Sequence, residues 1–400
     1  MSPYTLYACF FLLGVVTDFT SLTEMYYLKD LGYSVEQILE IGYWVNISWS
    51  VRFVFGAIFD YHAVSSIQML QFFFVCVCIC WYALSSYVLS FPVLFTLLCL
   101  CEVAPAAGIV ILDATMIRQA QAMEDGSKMA QYSHAIRLCG KIFANICASQ
   151  IQQTLGSSVV FRIQAVLCVL CAFMFAPLVS FLSPPSVSSP SVPKETLPKQ
   201  TLTWKTQLYE FVFVDDAFPF IAFLFCVSML PSATTSVFFF LSGPLELPAS
   251  FFGLLDATDL LSLIGICFVF PSLSISQLCY LYMVCYVLSQ IPIAWMIVRQ
   301  HLVDEQVLLV LISMIMSFLS SSLMTRFSME NVSLVPKQAV GMRYALYMCA
   351  PNAGRAIGAS LTLLYTDYFH INHTHFEHLF AFQAISMLYA CFVLFVPIFM

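Results

Sequence analysis

The chain has 400 residues and a formal net charge of −7; 61% of its residues are hydrophobic and only 9% are charged. Soluble domains contain about a quarter charged residues, so this composition argues against a soluble enzyme. The sequence has no basic patch of the kind that binds nucleic acid. Apolar runs of about 20 residues, long enough to cross a bilayer as helices, recur along the chain. They predict an all-α polytopic membrane protein.

Twelve apolar runs predict about twelve transmembrane helices in two pseudo-symmetric six-helix bundles. In chain order they cover, roughly, 4–27, 37–59, 66–88, 91–117, 129–154, 158–182, 213–241, 249–271, 275–298, 304–325, 340–366 and 377–400. Between the sixth and seventh helices, residues 183–205 are rich in Ser, Pro and Lys, which is typical of a flexible linker. The predicted domains are a bundle at 1–182, a cytosolic linker at 183–212 and a bundle at 213–400.

Lys and Arg are divided unequally between the loops on the two sides of the membrane, and this asymmetry predicts orientation. Seven belong to the side that carries both termini: Arg118, Lys128, Lys194, Lys199, Lys205, Arg326 and Lys337. Three belong to the opposite side: Lys29, Arg162 and Arg299. Both termini are therefore predicted to be cytosolic. The plasma membrane is the expected location, and an organelle membrane is the alternative.

The two halves of the chain repeat weakly at a single offset. Gly140 on predicted helix 5 corresponds to Gly354 on predicted helix 11, and Leu31 corresponds to Leu245; each pair is 214 residues apart. An internal repeat of this kind is typical of transporters that bind their substrate between the two halves, near the membrane midplane.

Charged residues within the predicted helices are candidates for function, because ionised groups inside a bilayer are costly and generally mark pathways or internal pairs. The stretch that joins helices 4 and 5 carries Asp113, Arg118, Arg137 and Lys141. Arg137 and Lys141 are four residues apart, so they share one helix face. The alternative to a role in binding is a structural pair in which Asp113 and Arg137 neutralise each other.

Helix 2 ends in Gly56-x-x-x-Asp60, which resembles the signature of the loop between helices 2 and 3 in the major facilitator superfamily. A carboxylate here can pair with a basic residue at the cytosolic end of another helix and hold that side shut. Arg118 and Arg343 are the candidate partners, and Arg52 is assigned to the same gating group. The alternative is that Asp60 is a solvated residue at a helix end.

Six stretches, in this order and spacing, resemble the folate–biopterin transporter family. They are residues 25–38 (MYYLKDLGYSVEQI), 48–60 (SWSVRFVFGAIFD), 112–144, 228–240, 250–255 and 351–366 (PNAGRAIGASLTLLYT). In the third stretch the resemblance rests on Asp113, Gly126, Arg137 and Gly140. It implies a major-facilitator-type secondary transporter of folate- or pteridine-type small organic anions.

The chain also departs from the family pattern. Arg52 stands where Lys is usual, Phe53 where Pro is usual, and helix 8 carries Asp256 and Asp259. These departures leave another small organic solute, such as S-adenosylmethionine, as the alternative substrate. A non-transporting membrane receptor or assembly protein is the alternative from a different class.

The predicted substrate-binding residues are Asp113, Arg137, Lys141, Arg355, Asn352 and Glu102. Cationic side chains can hold the carboxylates of folate, Arg bidentately, and Asp113 or Glu102 can accept hydrogen bonds from the pterin ring. Asp18 and Glu102 are the predicted proton carriers, because a buried carboxylate can take up a proton. For Asp18 the alternative is a hydrogen-bonded polar residue between helices.

We predict no enzymatic activity, cofactor or metal. The expected partners are a small-molecule substrate, protons and the lipid bilayer, and a monomer suffices for this fold.

Overall fold

The computed structural model describes residues 3–121 except 88, residues 126–178, 246–269 and 340–368, together with isolated residues between 221 and 243 and at 277. Every regular element in these parts of the chain is an α-helix. The linker at 183–212, predicted helices 9, 10 and 12, and most of helix 7 lie outside the described residues.

The described helices follow the predicted spans closely. They are α1 Pro3–Asp18, α2 Ser21–Asp30, α3 Val35–Ser50, α4 Phe53–Tyr61, α5 Ala63–Ser86, α6 Phe91–Cys101, α7 Val103–Ala120, α8 Gly126–Leu155, α9 Ser157–Met174, α10 Ala249–Val269 and α11 Val340–Tyr368. Four stretches of the described chain are long and apolar enough to cross a membrane: Tyr4–Asp30, Ser65–Ser86, Phe91–Ala120 and Ser157–Leu178. Helices α10 and α11 correspond to predicted spans 8 and 11.

Three predicted spans are each interrupted once, a feature that the continuous apolar runs do not predict: between α1 and α2, α3 and α4, and α6 and α7. Pro105 accounts for the last interruption, because its ring clashes with the carbonyl of Cys101, where α6 ends. At the first, the Ser21 hydroxyl donates to the carbonyl of Asp18 at 3.1 Å and competes with the helical hydrogen bonds. The second, at 51–52, has neither Gly nor Pro beside it.

Glycines allow the helices of the first half to touch backbone to backbone. A Cβ on Gly14 of α1 would collide with the carbonyl oxygen of Arg137, and one on Gly140 of α8 would collide with that of Phe11. This close crossing fixes the register of α1 against α8. It therefore determines which polar side chains of the two helices meet.

Two long contacts join the first half of the chain to the second. Helix α10 packs along α8, and α11 packs along α3 and α4. The second contact is tightest at Gly56 of α4 and Gly341 of α11, where a Cβ on either residue would meet the carbonyl oxygen of the other. Small residues at a helix crossing let the two backbones approach closely inside a membrane.

This crossing makes a prediction. We expect Gly56→Ala to lower the thermal unfolding midpoint of the purified protein, because an added methyl at a closed contact costs about 1–3 kcal/mol. Gly42→Ala is the matched control, since a Cβ at Gly42 meets nothing within 4 Å. Replacing a helical glycine there stabilises by about 0.5–1 kcal/mol. Equal midpoints for the two variants would contradict the close crossing.

Candidate functional site

Asp60 joins the two halves of the chain at the end where α4 finishes and α11 begins. Its Oδ1 accepts from Arg118 Nη2 at 2.8 Å and from the Gly341 backbone N–H at 2.9 Å. Its Oδ2 accepts from the Met342 N–H at 2.7 Å. The first N–H groups of a helix lack partners within it, and the positive end of the helix dipole attracts an anion. We call Asp60, Arg118 and these two N–H groups the Asp60 latch.

The other residues assigned to gating lie beside this latch or deeper in the protein. The Arg118 guanidinium also stacks over Phe59, 4.6 Å from the ring centre. Arg343, the second candidate partner, is buried and follows Met342 directly on α11. Arg52 lies at the interruption between α3 and α4, where its side chain is hydrogen-bonded to the sulfur of Cys349 on α11.

Helix α8 presents a polar stripe to its neighbours in the first half. His134, Arg137 and Lys141 are spaced by three and four residues, so they share one helix face. Arg137 Nη1 lies 3.5 Å from Asp113 Oδ1 on α7, and Arg137 Nη2 lies 2.9 Å from His134 Nδ1. Lys141 Nζ lies 2.6 Å from Asp18 Oδ1. Each cation of the stripe therefore has a carboxylate partner on a neighbouring helix.

Asp113 reaches beyond the first half, because it is also hydrogen-bonded to Tyr344 of α11. Its side chain is only 5% exposed, and that of Arg137 is 12% exposed. The pair is thus enclosed where the two halves meet. A ligand that displaced Asp113 from Arg137 would change a contact between the halves as well as a contact within one.

A second polar chain crosses from the first half to the second. The indole Nε1 of Trp49 donates to Glu102 Oε2 at 2.9 Å. The backbone carbonyl of Trp49 accepts from Asn352 Nδ2 of α11 at 3.4 Å, and Asn352 Oδ1 accepts from Arg355 Nη1 at 3.4 Å. The predicted site residues Glu102, Asn352 and Arg355 are thereby connected through Trp49.

Glu102 also has an acidic neighbour. Glu24 of α2 is close enough to Glu102 for their charges to interact, and Glu24 is hydrogen-bonded to Thr20. Both carboxylates belong to interrupted spans, since α2 follows the first interruption and Glu102 stands at the third. Two carboxylates side by side repel each other in their charged forms.

At the end of the described structure opposite the Asp60 latch, further hydrogen bonds join the two halves. Lys29 Nζ donates to the carbonyl of Ser242 at 2.7 Å and lies 3.0 Å from its hydroxyl. The hydroxyl of Tyr26 donates to the carbonyl of Leu247 at 3.3 Å. The polar residues of the interior therefore lie between two sets of contacts, one at each end, that join the halves.

The sequence profile of the BT1 family matches residues 13–400, nearly the whole chain. The chain belongs to the BT1 family. Its structure is similar to the crystal structure of a mutant of the nucleoside transporter NupG, with a TM-score of 0.70 and 14% identity over 98% of each chain. A second crystal structure of NupG gives a TM-score of 0.65 and 13% identity, and covers 99% of this chain and 97% of that one. No curated protein sequence matches the chain.

These similarities confirm the predicted fold class. The BT1-family chain is an all-α multi-pass membrane protein of the major-facilitator type, and it is a transporter rather than an enzyme. The transported solute sits within a lipid-embedded helical bundle in proteins of this kind, so the polar residues between these two sets of contacts are the candidate substrate site.

The BT1-family structure brings together most of the predicted residues, though not always with the expected partners. Arg137 and Lys141 share a face as predicted, but Lys141 is bound to Asp18, which the sequence analysis assigns to proton coupling. His134, Glu24 and Trp49 are additional polar residues of the site. The three-residue spacing of His134 from Arg137 could have indicated that His134 belongs to the site. Trp49 and Glu24 belong to it through long-range contacts that no local sequence pattern reveals.

The latch of this BT1-family protein makes a prediction for hydrogen–deuterium exchange. We expect Asp60→Asn to speed exchange in the first two turns of α11, residues 340–346, because an amide group offers only one acceptor for two N–H groups. Arg118→Ala removes the ion pair but leaves both acceptors, so exchange there stays close to wild type. The measurement is exchange followed by peptide mass spectrometry in lipid nanodiscs.

The charge-swapped pair Asp60→Arg/Arg118→Asp separates the helix cap from the ion pair. It restores opposite charges but leaves no acceptor at position 60, so we expect fast exchange to persist. Wild-type protection in the swapped protein would show that the ion pair alone closes this end.

Proposed function

We propose that this BT1-family protein is a secondary active transporter of folate- or pteridine-type small organic anions, coupled to protons and working by alternating access. The proposal places it in the plasma membrane with both termini in the cytosol. The observation that carries it is the stripe on α8, where Arg137 and Lys141 face the interior and are each neutralised by a single carboxylate. A substrate carboxylate can take the place of either carboxylate partner.

In this arrangement, a substrate carboxylate can replace the carboxylate of a protein residue at little cost in free energy. Removing the partner of a buried cation costs about 3–5 kcal/mol when nothing replaces it. A substrate carboxylate that replaces Asp113 at Arg137 avoids that cost. The released Asp113 can then accept hydrogen bonds from the N–H groups of a pterin ring.

Alternating access follows from the contacts at the two ends. The Asp60 latch holds one end closed, and the hydrogen bonds from Lys29 and Tyr26 hold the other. Opening to either side requires only one set to break while the other persists. Two rigid bundles that rock about a central site behave in this way.

We assign proton uptake to Glu102 together with Glu24. Asp18, the other predicted carrier, is engaged by Lys141, whereas Glu102 accepts the N–H of Trp49 and lies beside Glu24. A proton on Glu102 removes the repulsion between the two carboxylates. It also alters the hydrogen bond from Trp49 to Glu102. Because the Trp49 carbonyl is hydrogen-bonded to Asn352 of α11, protonation can thereby affect the position of the second half.

The substrate assignment predicts saturable uptake of radiolabelled folic acid into cells that lack a folate carrier of their own. Arg137→Ala removes a charge-assisted interaction worth about 1.5–3 kcal/mol, so we expect the uptake rate to fall at least tenfold at equal surface expression. Arg162→Ala is the matched control, because Arg162 is an exposed arginine of α9. We expect it to transport like wild type.

The same assay distinguishes the alternatives. Wild-type protein that reaches the surface without taking up folate would reject this substrate. The Glu24 and Glu102 carboxylates would suit a positively charged solute, which is the observation in favour of S-adenosylmethionine. Competition by unlabelled folate, biopterin and S-adenosylmethionine then shows which compound the site prefers.

The coupling assignment predicts the pH dependence of transport. Wild-type uptake rises with external acidity and collapses with a protonophore. Glu102→Gln mimics a permanently protonated side chain, so we expect its uptake to vary less than twofold between pH 5.5 and pH 7.5. The measurement is initial uptake rate at both pH values. Asp18→Asn is the comparison variant; loss of pH dependence there, but not in Glu102→Gln, would move the proton to Asp18.

A further inference from the structure

Each interruption in a membrane-crossing segment of the first half carries a charged residue. Asp18 ends α1, Arg52 stands between α3 and α4, and Glu102 stands between α6 and α7. Contacts join the three positions: Trp49, one turn before Arg52, donates to Glu102, which interacts electrostatically with Asp18. Interrupted helices at membrane depth typically surround the substrate sites of transporters.

Two of these charged residues, Asp18 and Glu102, each have an ion-pair or strong hydrogen-bond partner, whereas Arg52 does not. Asp18 is bound by Lys141 and Glu102 by Trp49. Arg52 is only 4% exposed, yet its Nε and Nη2 atoms have no hydrogen-bond partner within the described part of the chain. Its hydrogen bond to the Cys349 sulfur is to a weak acceptor. A buried guanidinium in this state is strongly unfavourable unless an anion completes it.

A carboxylate that interacts with Arg52 does not fill this role. Asp113 interacts electrostatically with Arg52, but it is hydrogen-bonded to Arg137 and to Tyr344. Among the described residues, one carboxylate thus interacts with two guanidinium groups, so this described part of the Arg52 surroundings carries a surplus positive charge. That surplus lies at the contact between the halves, because Cys349 and Tyr344 both belong to α11.

The two unpaired nitrogens of Arg52 lie on the same edge of the guanidinium group. An arginine edge of this kind binds a carboxylate through two parallel N–H···O hydrogen bonds, which gives both strength and orientation. We propose that Arg52 binds a carboxylate group of the transported solute bidentately through Nε and Nη2, between α3–α4 of the first half and α11 of the second. This inference rests on the proposed transport of small organic anions and names the residue that selects for a carboxylate.

The proposal gives Arg52 a role different from gating. A carboxylate held here touches the interruption of the second span and neutralises a charge beside α11. Its arrival or departure therefore changes the electrostatics of the contact between the halves. Solutes without a carboxylate, such as biopterin, gain nothing from Arg52.

Thermal stabilisation of the purified full-length protein by added ligand tests this proposal. The probes are folate, p-aminobenzoylglutamate, which carries the two carboxylates without the pterin, and biopterin, which carries the pterin without a carboxylate. We expect Arg52→Gln to weaken the apparent affinity for the two carboxylate-bearing probes at least tenfold and to leave that for biopterin within twofold. Arg52→Lys keeps the charge but loses the two-pronged edge, so we expect an intermediate loss. Arg162→Gln, an exposed arginine, serves as the control.

A ligand-free measurement makes the test independent of the substrate. Because the Arg52 edge is unpaired, Arg52→Gln removes an uncompensated buried charge, and we expect the unfolding midpoint without ligand to stay level or rise. Arg137→Gln breaks the pair with Asp113, so its midpoint falls. An equal fall for Arg52→Gln would mean that Arg52 is a structural ion-pair residue and would overturn the proposal.

The outcomes separate this inference from the proposed function. Folate binding that is unchanged in Arg52→Gln overturns the inference and leaves folate transport standing. If wild type responds to neither folate nor biopterin, the proposed substrate is wrong, and p-aminobenzoylglutamate with succinate decides the inference. If these two compounds stabilise wild type but not Arg52→Gln, the result supports a carboxylate site at Arg52. If they do not stabilise wild type, the result rejects such a site.

Discussion

The ion pair between Lys141 and Asp18 shows the constraint on which the interior depends: a charge held within the membrane needs a counter-charge at contact distance. The glycines at 14 and 140 make this contact distance possible, because they let the backbones of α1 and α8 touch. Lys141 directly follows one glycine, and Asp18 lies one turn beyond the other. The close crossing thus brings Nζ and Oδ1 to 2.6 Å, and Arg137 meets Asp113 from the same face of α8.

Helix α11 connects these internal charges to the second half of the chain. Along its length this helix contacts Asp60, then Asp113, Arg52 and Trp49 of the first half. The residues that make these contacts are Met342, Tyr344, Cys349 and Asn352, which are spread over about three turns of the helix. Because they share one rigid element, they move together, as expected for bundles that rock as bodies.

The sequence predicts the membrane spans well, since a continuous apolar run specifies both the helix and its approximate ends. It also offers Arg118 and Arg343 as candidate partners of Asp60, since both stand near cytosolic helix ends, and it offers the Asp113–Arg137 pair as one alternative. Contacts that depend on how helices cross cannot be predicted from the sequence. Lys141 meets Asp18 only through the glycine contact, and the α11 cap on Asp60 joins residues about 280 positions apart. Pro105 signals the interruption beside Glu102, but no glycine or proline marks the one beside Arg52.

Asp60 has partners on both sides of the boundary between the halves: Arg118 in its own half and two N–H groups of α11 in the other. In the proposed transport cycle, separation of the halves leaves the carboxylate with its arginine, and the freed N–H groups of α11 can turn to water. Neither half is left with a stranded ion, so the barrier to opening contains hydrogen-bond exchange but little charge desolvation. In that proposed cycle, the latch can open and close often without an external source of energy for each opening.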